Sequence, residues 1–174
     1  MIDNLARFAP AGLGAPPETH EQFDSVEARL LAQFPAVDLP LIHRFTPGLY
    51  VREIFMPAGT VCTSKIHKTE HPYVVLTGKA LVLIPGQGVE LIEAGKVGIT
   101  QPGTRRLLAI LEDCRWLTFH PIEESEQGDL EAIEARIIER RELEDGKTAF
   151  EHYQELLEAF NLQLAAENPQ EEGD

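Results

Sequence analysis

Residues Pro57 to Val82 read "PAGTVCTSKIHKTEHPYVVLTGKALV". A Pro-Ala-Gly turn signal opens the stretch, and β-branched and aromatic residues dominate the rest of it. His67 and His71 stand four apart with Glu70 between them, just before an apolar run that ends at Gly78. Side chains two apart on a strand look the same way, so Thr63, Lys65 and His67 share one face. On the next strand His71, Tyr73 and Val75 do.

The same grammar extends outward from Leu41 to His120. Short segments rich in Val, Ile, Leu and Tyr ("LYVREIFM", "TVCTSKIH", "PYVVLTG", "KALVLIP", "VELIEAG", "KVGITQ", "RRLLAILE", "CRWLTFHP") alternate with turn signals. Eight strands without room for crossover helices predict antiparallel β structure. To bury one face and protect its edges, such a set closes into a β-barrel or a two-sheet jelly roll. "LPLIHRF" reads as a first edge strand, with His43 in a structural role.

Helical periodicity appears only at the ends. Thr19 and Gln22 form a capping box for a helix to about Phe34, with Phe23, Val26 and Leu30 on one face. Beyond Pro121, Asp129 caps a helix carrying Leu130, Ile133 and Ile137 that is expected to end near Gly146. Thr148 and Glu151 start a second, with Phe150, Tyr153, Leu157 and Phe160 on its face. The chain thus divides into an N-terminal arm and helix (1–40), a β-barrel (41–121) and an acidic C-terminal α-helical hairpin (122–174).

The net charge of −14 sits in that last segment: 17 acidic and 4 basic residues lie from Pro121 onward, against 12 and 11 before it. Few basic residues and no aromatic-basic platform argue against a nucleic-acid partner. No apolar run approaches the ~20 residues of a membrane span, and the N-terminus lacks an apolar signal core, so a cytoplasmic protein is expected. Cys62 and Cys114 form no metal-binding spacing and are expected to be small buried hydrophobes. No nucleophile elbow, P-loop or dinucleotide fingerprint is present.

The Pro57–Val82 stretch, together with "AGKVGITQPGTRRLLAI", resembles the two motifs of the cupin superfamily. The likeness covers somewhat under half of the chain. It implies a cupin-like antiparallel β-barrel or jelly roll, mainly β, with a metal pocket inside and pairing into a homodimer. By spacing to Gly78, His67 takes the second histidine place of the first motif, Lys65 falls at the first, and His71 falls at the glutamate. Arg106 falls where the second-motif histidine belongs. "HKTEH", "PGTRR" and "WLTFHP" also look like small cupin-like proteins carried by bacteriophages.

A third histidine follows from "RRLLAILEDCRWLTFHP". A hairpin turn at Glu112-Asp113-Cys114 pairs Arg106 with His120, and opposed residues share a face. If Arg106 points inward, as its motif position implies, so does His120. The expected site is therefore a divalent metal on His67, His71 and His120, with Lys65, Glu70, Tyr73 and Arg106 around a small polar or anionic ligand. Three imidazoles suit Zn, Fe, Mn, Ni or Cu alike. Two other readings stay open. One is a structural or interaction protein that uses the barrel as scaffold and the helical hairpin for assembly. The other is a metal-free sugar- or carboxylate-binding module built on Lys65, Tyr73 and Arg106.

Overall fold

The computed structural model describes residues 16–35 and 37–141. Helix α1 (His20–Gln33) starts on the expected capping box: the Gln22 backbone N–H donates to Thr19 Oγ1, and the Thr19 N–H donates to Gln22 Oε1. Phe23, Val26 and Leu30 are its buried face. Strands β1 (Leu41–Thr46), β2 (Leu49–Met56), β3 (Val61–Thr63), β4 (Ile66–His67), β5 (His71–Ile84), β6 (Gly88–Glu93), β7 (Val97–Thr100) and β8 (Leu107–Pro121) follow. A 3₁₀ turn (Glu124–Glu126), helix α2 (Leu130–Ile137) and strand β9 (Ile138–Glu139) complete the described chain.

All strand pairs are antiparallel. The main sheet runs β1-β2-β8-β5-β6, with β3 added to β8 and β7 to β5. The two longest strands, β5 and β8, lie at its centre, and each changes partner along its length. The first half of β5 pairs with β7 and the second with β6. The first half of β8 pairs with β3 and the second with β2. Bending both long strands folds the sheet back on itself and gives the expected two-walled barrel.

Two expectations about strand ends are corrected. Gly78 does not terminate a strand, and Glu112-Asp113-Cys114 is not a hairpin turn; β5 and β8 run straight through these points. The physical reason is a β-bulge. Before Gly78 the odd residues His71, Tyr73 and Val75 are buried, and after it Ala80 and Val82 are. That switch in parity requires an extra residue, and the β5–β8 register shifts between Val75 and Ala80. Gly78 has φ +84°, and a Cβ there would lie 2.3 Å from the Asp113 carbonyl oxygen, so the two backbones touch at the bend. The Asp113 carboxylate is engaged too, accepting from the Ala58 backbone N–H at 2.9 Å.

The main core, Met56, Tyr73, Val75, Ala80, Val82, Ile92, Leu108, Ile110, Cys114 and Trp116, fills the space between the walls. A second cluster of Tyr50, Ile122, Ile133, Ile137 and Ile138 closes one end. The expected first C-terminal helix is shorter than the periodicity suggested. It stops at Ile137 rather than near Gly146, because Ile138 and Glu139 turn into a strand paired with His67 and Ile66. The expected second helix and the extreme N-terminal arm lie outside the described residues. Among those described, no helix is long and apolar enough to cross a membrane.

Candidate metal centre

Three separate elements deliver histidines to the closed end of the barrel. His67 ends the two-residue strand β4, held between Ile138 opposite and the Gly103 N–H, which donates to the His67 carbonyl. His71 opens β5 opposite Thr100. His120 lies near the end of β8 opposite Tyr50. Their ring centroids are 4.1 Å (His67–His71), 4.5 Å (His71–His120) and 5.1 Å (His67–His120) apart. One imidazole nitrogen from each lies within 4.8 Å of the other two.

Hydrogen bonds orient two of the three rings. His71 Nδ1 lies 3.1 Å from the Thr69 carbonyl oxygen, which can only accept. The proton therefore sits on Nδ1, and Nε2 carries the lone pair of the neutral ring. His120 Nε2 bonds Thr118 Oγ1 at 3.0 Å, and its Nδ1 is left buried without a partner. His67 Nδ1 is buried and unpartnered as well. Buried polar nitrogens are normally satisfied, so two orphans in one triad are a functional signal rather than a packing detail.

The rings are held neutral. Burial is the main cause, lowering His67 to about 2 and His120 to about 3, and lowering His71 without an assigned value. Neighbouring groups add to it: the Arg52 and Arg106 charges, and any proton on His71 or His120, oppose a proton on His67, and Arg106 acts on His71. The dryness comes from the second apolar cluster, whose Tyr50 ring stacks 5.9 Å from His120. A neutral imidazole with an exposed lone pair is the form that ligates a metal.

A pocket of about 270 Å³ opens from the His67 and His71 side of the triad. His67 and His71 form one wall, with Arg52, Thr100, Arg106 and Thr118 beside them. Trp116, aliphatic side chains and residues 62–65 form the rest. Of the expected ligand residues, Arg106 lines this pocket at 8% exposure, with Nη2 donating to Thr100 Oγ1 at 3.0 Å. Lys65 stands at its rim, half exposed, and its Nζ bonds Glu134 of α2 at 3.1 Å. Tyr73 is elsewhere: it is a core residue packed on Trp116, with the Arg106 guanidinium 5.5 Å from its ring. Glu70 is also outside the pocket, exposed and accepting from Gln101 Nε2 at 2.8 Å. Adjacent Arg105 faces the opposite way, into Asp24 and Glu27 of α1. His43 has the structural role expected of it, with Nδ1 2.7 Å from the Tyr50 hydroxyl.

Long bent antiparallel strands carry the two histidine-bearing segments to one end of a closed β core. The fold is cupin-like. No protein-family model matches the sequence, and no curated protein does. Among solved structures, the chain is similar to an RmlC-like cupin family protein with a double-stranded β-helix fold from Methanocaldococcus jannaschii. That match has 9% identity over 53% of this chain and 87% of that one, with a TM-score of 0.42. The Schizosaccharomyces pombe Cnp3 cupin domain is 20% identical over 53% of this chain and 68% of that one, with a TM-score of 0.41. A cupin-2 domain containing protein from Shewanella frigidimarina is 12% identical over 54% and 89%, with a TM-score of 0.39.

Several pocket residues escaped the sequence reading, and one had a usable signal. Tyr50, Arg52, Ile54 and Met56 alternate along "LYVREIFM", which puts Arg52 on the same face as two core residues and the half-buried Ile54. Thr100 and Glu134 carried no such sign, because their places depend on pairing between distant segments.

Proposed function

We propose that this protein is a metal-binding cupin-like barrel, holding one divalent transition metal on His67, His71 and His120 and binding or acting on a small polar or anionic ligand beside it. The observation that carries the reading is the triad itself: three buried neutral imidazoles from three elements, two of them with orphaned nitrogens. The hydrogen bonds to Thr69 and Thr118 fix ring orientation in the way the outer partners of metal-ligating histidines do. His67, His71 and His120 would hold the metal, which when bound would supply Lewis-acid chemistry to a ligand in the pocket.

The rest of the site is built by the chain's own residues. The Tyr50 and isoleucine cluster excludes water from behind the triad. The pairing of β9 with β4 pins His67, and the Lys68 N–H donation to the Ile137 carbonyl at 2.8 Å fastens the same segment. Arg106, Arg52 and Lys65 give the pocket a positive lining that favours an anion.

Calorimetric titration of Zn²⁺ into chelator-stripped protein tests this reading. One ion is expected per chain, with binding lost in His120→Ala while the circular dichroism spectrum is retained. Equal binding by wild type and His120→Ala would place the ion elsewhere.

A further inference from the structure

Within the pocket, Arg106 carries a charge that the Tyr73 ring, 5.5 Å away, meets with its π face but that no carboxylate among the described residues answers. Its guanidinium is buried, Nη2 meets only the Thr100 hydroxyl, and Nε is buried without any partner. Among the described residues no carboxylate is within ion-pair distance of it. Glu90, whose field reaches it, is itself bonded to Lys96 Nζ at 2.6 Å. The other pocket cations differ in this respect, since Lys65 and, at 3.9 Å, Arg52 share Glu134. A buried cation with no counter-charge is costly, and an anionic ligand removes that cost.

Beyond Arg106 one stretch of the wall is apolar, while Thr63, Ser64, Lys65 and Thr118 supply polar groups elsewhere in the lining. Leu39, Leu41, Ile54, Met56, Leu108 and Trp116 line the cavity away from the histidines. A sugar would leave its hydroxyls facing these side chains unpaired. A phosphate dianion would meet one uncompensated guanidinium, half the charge it needs. A single negative head on an apolar body matches both halves of the cavity.

We infer that the ligand is a small monocarboxylate with an apolar body, its head on Arg106 and its body against Leu39, Leu41, Ile54, Met56, Leu108 and Trp116. Arg106 bonds Thr100, which stands opposite His71 on the neighbouring strand, so the head lies next to the triad. This deepens the proposed function and rests on its pocket, but not on the metal. Planar guanidinium recognises planar carboxylate through paired hydrogen bonds, a geometry that lysine does not offer.

Trp116 is the single tryptophan of the chain and lies in the pocket wall, so its fluorescence reports occupancy directly. Hexanoate, hexanamide, acetate, inorganic phosphate and glucose would be titrated into both the zinc-loaded and the chelator-stripped protein. Saturable change with hexanoate is expected, at least ten-fold tighter than with hexanamide or acetate. Arg106→Gln is expected to weaken hexanoate at least ten-fold. Equal affinity for hexanamide, preference for phosphate or glucose, an Arg106→Gln protein that binds hexanoate unchanged, or no response to any probe would overturn the inference. The comparison of hexanoate with hexanamide on wild type decides the matter even if Arg106→Gln misfolds. Hexanoate binding to a protein that fails the zinc titration would sink the metal and keep the carboxylate; zinc binding without hexanoate binding would do the reverse.

Discussion

Gly78→Ala is expected to destabilise the protein by at least about 3 kcal/mol, read as a fall in the urea midpoint, or to prevent folding. Two causes add. A φ of +84° is strained for any residue with a Cβ, and here the Cβ would also be 2.3 Å from the Asp113 carbonyl oxygen and 2.7 Å from its carbon. Neither neighbour is a flexible side chain that could move aside; both are backbone at the centre of the sheet. Gly86 makes the control, since it has φ +71° but nothing within 4 Å of a built Cβ. Gly86→Ala is expected to cost about 1 kcal/mol, from the backbone alone. Equal losses at the two positions would mean that the β5–β8 contact is not the hinge of the barrel.

The second large effect concerns the triad. Because a metal binds the folded triad and not the unfolded chain, saturating it is expected to stabilise the protein by about 4 kcal/mol at a thousand-fold excess over Kd. For a chain of this size that corresponds to a rise in Tm on the order of 10 °C. His67→Ala/His71→Ala is expected to remove the whole shift while the stripped double mutant still melts cooperatively. The stripped wild type is not a relaxed reference, for its orphaned His67 and His120 nitrogens are already buried without partners. Replacing the two rings therefore sacrifices packing and the His71–Thr69 hydrogen bond, but no hydrogen bond of His67. A double mutant that keeps the shift would show zinc stabilising the fold from another site, such as the surface carboxylates.

These two expectations also mark how far the sequence could be read. Period-two alternation grouped residues by face and the cupin resemblance aimed those faces: together they turned His67 and His71 inward, and a mistaken turn at Asp113 still aimed His120 inward. A hairpin centred on residue 113 and an unbroken strand both keep even-numbered residues on one face, so the error in topology left the direction intact. The bulge at Gly78 was not legible, because a glycine after an apolar run signals a turn and a bulge equally. Lys65 and Tyr73 were placed by local strand parity, and Glu70 by its position between the two histidines. Their actual surroundings depend on long-range partners: Glu134 from α2, Gln101 after β7, and Trp116 on β8. Arg106 was reached through its motif position, but its missing counter-charge could be seen only once Arg105, its neighbour, was found with both nearby α1 carboxylates.

The central claim is that the triad is a metal centre in the protein as it is made by a cell. Plasma mass spectrometry on untagged protein, purified without chelator or added metal, tests it most directly, run beside His67→Ala/His71→Ala. The account predicts close to one transition-metal ion per wild-type chain and none in the double mutant. A wild-type protein that carries no metal and takes up none when offered Zn, Fe, Mn, Ni or Cu salts would contradict it.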